Sequence, residues 1–105
     1  MSQIIFGAFA GCLWANMAHA DITVFMEAWD VLPQAQVTQG RANNCGANRS
    51  VFGPGQMAKG FRQTYPGTGS QGEDICWRRT ADPFNADSGW SLWTRCTSDG
   101  DCEIR

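Results

Sequence analysis

Tryptophan and arginine gather in the C-terminal third of the chain, where the run ICWRRTADPFNADSGWSLWTRC carries Trp77, Arg78, Arg79, Trp90, Trp93 and Arg95. Both types are enriched where binding energy concentrates, and a guanidinium stacks favourably on an indole face. Exposed, such a surface would hold a protein partner or stack on the rings of a carbohydrate. Buried, the indoles would supply volume to a core too short of aliphatic residues. Trp77 and one of Trp90 and Trp93 are expected to turn inward. The six residues form the candidate binding surface of a non-enzymatic module.

The case for catalysis is thinner. His19 is the one histidine, and it lies in a segment expected to be removed. Its loss takes away Ser-His and Cys-His nucleophilic pairs and histidine acid-base chemistry. Carboxylate chemistry with arginine support remains, with Glu27, Asp30, Glu73, Asp74, Asp82 and Asp87 beside Arg78 or Arg79. That would suit a small secreted hydrolase, while the loop GTGSQGE would suit a hydrolase inhibitor. The competing reading places these acids on turns and solvated surface. Calcium has two candidate clusters, Asp82 with Asn85 and Asp87, and Asp99 with Asp101. Neither has the ligand spacing or closing Glu of a recognised calcium loop, and Asp and Asn cap turns in such places anyway. No cofactor is expected.

Cys45, Cys76, Cys96 and Cys102 follow the leading segment. An even count in a short exported chain reads as two disulfides, and the absence of a CxxC knuckle argues against zinc. Sequence leaves the connectivity open. Cys45–Cys76 with Cys96–Cys102 would tie the Asn-rich loop to a central strand and close the last hairpin. By loop entropy these links would contribute about 3.7 and about 2.4 kcal/mol. Cys76–Cys96 with Cys45–Cys102 would instead join two neighbouring strands and pin the C-terminus.

The first twenty residues contain the apolar run IIFGAFAGCLWANM and end in Ala18-His19-Ala20, the pattern of a secretory signal cleaved before Asp21. Phe9-Ala10-Gly11-Cys12 also matches a bacterial lipobox, which would make Cys12 the lipidated first residue. The apolar run is too short and too interrupted to span a bilayer. Residues 21–105 then form a single small domain, secreted or periplasmic, of the size that needs staples. With 8 basic and 10 acidic residues and a net charge of −2, the chain is not built to read nucleic-acid phosphates.

Strand formers and turn residues set the architecture. Alternating runs predict strands over Ile22–Trp29, Gln34–Gln39, Phe61–Tyr65, Asp74–Thr80, Trp90–Cys96 and Cys102–Arg105. Val31-Leu32-Pro33, GRANNCGANRS, the Gly53-Pro54-Gly55 run and Asp99-Gly100 read as turns and loops. Asn48-Arg49-Ser50 fits an N-glycosylation sequon. The last strand is expected to pair back on WTRC. With no helical period in residues 21–105, the fold class is all-β, a small disulfide-stapled sandwich or barrel of about five to seven short strands.

Trp90 to Thr97, W-S-x-W-x-x-C-[ST], resembles a fragment of a thrombospondin type 1 repeat, a family in which tryptophans and arginines interleave. The likeness covers eight residues. Such repeats carry six cysteines and a Cys-Gly pair soon after this motif, whereas here Cys102 precedes Glu103, so no function is carried over.

Intact mass measured on protein from its native compartment tests the processing and redox expectations together. A chain starting at Asp21 and four hydrogens lighter than its reduced form is expected. An unprocessed chain with free thiols would overturn both.

Overall fold

Alternation in ITVFM buries Ile22, Val24 and Met26 on one side of strand β1 (Ile22–Met26) and leaves Thr23 and Phe25 half-buried on the other. Six further strands follow in the computed structural model, which describes residues 21–41, 43–65, 73–96 and 100–105. They are β2 (Val31–Arg41), β3 (Arg49–Ala58), β4 (Arg62–Tyr65), β5 (Glu73–Arg79), β6 (Thr94–Cys96) and β7 (Gly100–Ile104). Short 3₁₀ turns occupy Cys45–Ala47 and Ala86–Ser88. The expected leader, the 67–72 part of the Gly-rich loop and Asp99 lie outside the described residues.

The strands form two sheets ordered β4-β1-β7 and β3-β2-β5-β6, so the all-β sandwich is the observed architecture. Between the sheets, Val24, Met26, Leu32, Val37, Ile75 and Ile104 are fully excluded from solvent. No helix among the described residues is long and apolar enough to cross a membrane. Both disulfides are present, Cys45–Cys76 and Cys96–Cys102.

Four expectations are corrected. β1 stops at Met26, because its last ladder bonds go to Phe61 and Gly60 before the chain turns through residues 27–30; Trp29 is therefore outside the strand. β2 starts at Val31 and runs through Pro33, which sits where the β2–β3 register shifts between Leu32 and Ala35. A proline without an N–H is tolerated at such an irregularity. Gly53-Pro54-Gly55 is likewise no turn but a bulge in the edge strand β3. There Ala35 faces Gly55 and Val37 faces Phe52. Gly53 has φ +69°, and a Cβ there would clash with the Ala35 carbonyl oxygen, so a side chain is excluded.

The fourth correction concerns the last strand. β7 does not pair with β6. It lies parallel to β1 in the other sheet, with Val24 opposite Cys102 and Met26 opposite Ile104. Cys96 belongs to β6 and its sheet. The Cys96–Cys102 bond therefore joins the two layers instead of closing a hairpin. β6 itself is only Thr94–Cys96, and Trp90 makes an isolated bridge to Thr80, just past the end of β5.

Tyr65, the one tyrosine of the chain, is buried at 7% exposure, and its hydroxyl has no hydrogen-bond partner among the described residues. Burial raises its pKa above the ordinary 10.0, since a desolvated phenolate is disfavoured. The unfolded chain then ionises first, so stability is intact below pH 10.0 and falls as pH rises through the folded value. Urea unfolding against pH should show this alkaline decline in the native protein and a weaker one in Tyr65→Phe. The variant should also gain about 1 kcal/mol at neutral pH by deleting the unpartnered hydroxyl. An unchanged decline in the variant would overturn the assignment.

Candidate binding face

Strand alternation splits β5 into two sets. Ile75 and Trp77 point into the sandwich, while Asp74, Cys76 and Arg78 point to the outer face of the four-stranded sheet. The register places Gln36 opposite Arg78, Thr38 opposite Cys76, and Arg95 opposite Cys76 on its other side. These neighbours share the outer face, because directly paired residues project to the same side.

The Cys45–Cys76 disulfide, Cα–Cα 5.7 Å, draws the loop after β2 over that face. Thr38 Oγ1 donates to the Cys45 carbonyl at 3.0 Å. Arg95 fixes the loop's other side. Its Nε lies 2.6 Å from Asp74 Oδ2, its Nη2 donates to Asp74 Oδ1 at 3.3 Å, and its Nη1 donates to Asn43 Oδ1 at 2.7 Å. Asn43 closes the network by donating its backbone N–H to Asp74 Oδ2. Asn43 holds φ 62°, a left-handed conformation that asparagine tolerates better than most residues. Asp74 is only 8% exposed, and a carboxylate this buried requires such pairing.

Beside this network Arg78 lies between two indoles. Its guanidinium carbon is 4.1 Å from the Trp90 ring centroid and 4.6 Å from that of Trp93. Nε donates to Gln36 Oε1 at 3.0 Å, and Gln36 Nε2 donates to Ser50 Oγ at 3.0 Å, so one polar chain crosses β5, β2 and β3. Among the described residues no acceptor meets Nη1 or Nη2 of Arg78, and no carboxylate pairs with it. Trp93 also walls an open depression of about 440 Å³ with Asn43 to Ala47 and Arg95. Gly46 allows this closeness, because a Cβ there would stand 3.3 Å from Trp93 Nε1. Trp90 is 37% exposed and Leu92 89%.

Four of the six residues singled out from the sequence thus come together: Arg78, Trp90, Trp93 and Arg95. The other two lie elsewhere. Trp77 is 8% exposed and belongs to the core. Arg79 closes one end of the sandwich, where Nε donates to the Arg105 carbonyl and Nη1 to the carbonyls of Thr80 and Ala81, 5.9 Å above Trp29. Sequence reasoning did not reach Gln36, Asn43, Asn44 or Leu92. Their only signal was indirect, since Asn43 and Asn44 precede a cysteine bonded to the strand that carries Arg78.

The carboxylates are spread out. Asp82 Oδ1 accepts from the Phe84 N–H and Asn85 Oδ1 from the Asp87 N–H, both at 2.9 Å, as turn caps. Asp30 is a solvated partner of Lys59 at 4.0 Å, and Asp74 is committed to Arg95. Among the described residues no three His, Cys, Asp or Glu side chains are grouped to hold a metal ion. Asn48 of the sequon pairs with the Arg41 backbone, accepting from N at 2.9 Å and donating to O at 3.0 Å. A second apolar patch lies at Trp29 and Phe84, rings 5.5 Å apart, with Phe84 80% exposed. The chain matches no protein-family model, no curated protein and no solved structure.

Arg95→Ala would leave Asp74 buried without its cation and should cost about 1–3 kcal/mol in urea unfolding. Arg95→Lys, which keeps the charge but not the fork, should recover part of that. Full stability in Arg95→Ala would show the network to be idle.

Proposed function

We propose that the chain is an exported, non-enzymatic binding module that captures its partner on the outer face of the four-stranded sheet. The carrying observation is the placement of Arg78 between Trp90 and Trp93, beside an almost fully exposed Leu92. Indole and guanidinium groups lose little conformational freedom on binding when already stacked, so their contact energy is retained. Rigidity supports the reading as well. The face is fixed by a disulfide and by the Arg95–Asp74–Asn43 network, so a ligand meets a preformed surface.

Export is supported by the two disulfides, which persist in oxidising compartments, and by the apolar segment before Asp21. Asp82 and Asp87 share one solvated loop in which Asp82 caps a turn, and Asp30 lies elsewhere beside Lys59, an arrangement that favours binding over carboxylate catalysis. Protein and carbohydrate are the partner classes that such a surface serves.

Immobilised protein, probed with a glycan panel and with the secreted proteins of the cell that makes it, provides the test. Trp90→Ala and Leu92→Asp should each reduce specific capture roughly tenfold or more, with circular dichroism and melting unchanged. Undiminished capture by both folded variants would remove the function from this face.

A further inference from the structure

Resting on that reading of the face, we propose that its ligand is an acidic carbohydrate, with a uronate carboxylate on the Nη edge of Arg78 and sugar rings against the indoles.

Arg78 carries a partly sheltered charge with no carboxylate partner among the described residues. Arg95 is paired with Asp74, Lys59 with Asp30 and Arg105 with Glu103, and Arg79 is spent on three carbonyls. Arg41, Arg49 and Arg62 likewise meet no carboxylate among the described residues, but they are exposed to water, whereas Arg78 is not. Arg78 is half-buried between two indoles, and its one hydrogen bond, from Nε to Gln36, leaves Nη1 and Nη2 without an acceptor among the described residues. The two aromatic faces stabilise the cation but accept no hydrogen bond from its N–H groups in their own plane. The remaining N–H groups are coplanar and forked, the geometry that a carboxylate meets with two parallel bonds. Partial dehydration by the indoles strengthens such a pair relative to one in open water.

The surroundings choose the ligand class. An apolar peptide side chain is best held in an enclosed, mostly apolar pocket. Here the depression beside Trp93 is open, about 440 Å³, and its wall combines an indole with Asn43 and Asn44. Asn44 makes no capping bond to the 3₁₀ turn that it precedes. A sugar ring has one flat face of C–H groups for an indole and a rim of hydroxyls for side-chain amides. A uronic acid adds the carboxylate that Arg78 lacks.

Titration of the full mature chain with oligogalacturonate, followed by tryptophan emission and calorimetry, tests this. Binding should weaken at least about tenfold for the methyl-esterified oligomer and for Arg78→Gln, the loss expected for one charge-assisted pair. It should also weaken with added salt. Asn44→Ala, on an exposed loop, should weaken binding without touching the stack, which covers the case in which Arg78→Gln disturbs folding. Poly-glutamate should bind no better than the ester. The inference is overturned by silence towards oligogalacturonate, by equal affinity for acid and ester, or by equal affinity for poly-glutamate. If Trp90→Ala and Leu92→Asp still abolish capture from the glycan and protein panels, the binding face stands while the acidic-sugar assignment falls. Oligogalacturonate binding undisturbed by Arg78→Gln, Asn44→Ala and Trp90→Ala would refute both.

Discussion

From Asp74 to Trp77 every residue of β5 is buried, although alternate residues point to opposite faces of the sheet. One face is covered by the three-stranded sheet, as in any sandwich. The other must be covered by something else, and the described residues form no third layer. The loop of residues 43–47, fastened by Cys45–Cys76, and the indoles of Trp90 and Trp93 supply that cover. The outer face is therefore a consequence of packing before it is a surface for binding. Its rigidity follows from the same bonds that keep β5 dry.

Two arginines on this face solve the problem of a sheltered charge in different ways. Arg95 takes a carboxylate, bidentate and short, and returns its third donor to the loop. Arg78 takes aromatic faces and an uncharged amide. The first arrangement satisfies the group within the fold and contributes to stability. The second leaves in-plane donors over, and so gives chemistry to the surface. Arg79, next in sequence, points the other way and acts on the chain terminus. Adjacent arginines in a strand thus have unrelated duties, decided by the period of two.

That same period explains what was legible in the sequence. Runs such as ITVFM and DICWRR alternate cleanly, and the all-β class and the strand carrying Cys76 and Arg78 could be read from them, whereas the sequence left the pairing of the cysteines between two alternatives that only the structure decides. Gly-Pro-Gly misled because glycine and proline mark turns and edge-strand bulges alike, and only the partner strand decides between them. The position of β7 was not legible either. Cys102–Ile104 alternates as well beside β1 as beside β6, and local pattern carries no information about which distant strand is the neighbour. Trp77 and Trp93 look equivalent by residue type; register alone sends one inward and the other out.

The parallel pairing of β1 and β7 reaches beyond the folded state. β1 begins at Ile22 and its partner at Gly100, where the Gly100 N–H bonds the Asp21 carbonyl. The two strands come from distant parts of the sequence, and β1 keeps one edge open until β7 docks beside it. Contacts so widely separated in sequence carry a high loop-closure cost and slow the folding that depends on them. Such a topology keeps the three-stranded layer incomplete until β7 has found β1, so the two layers of the sandwich close together.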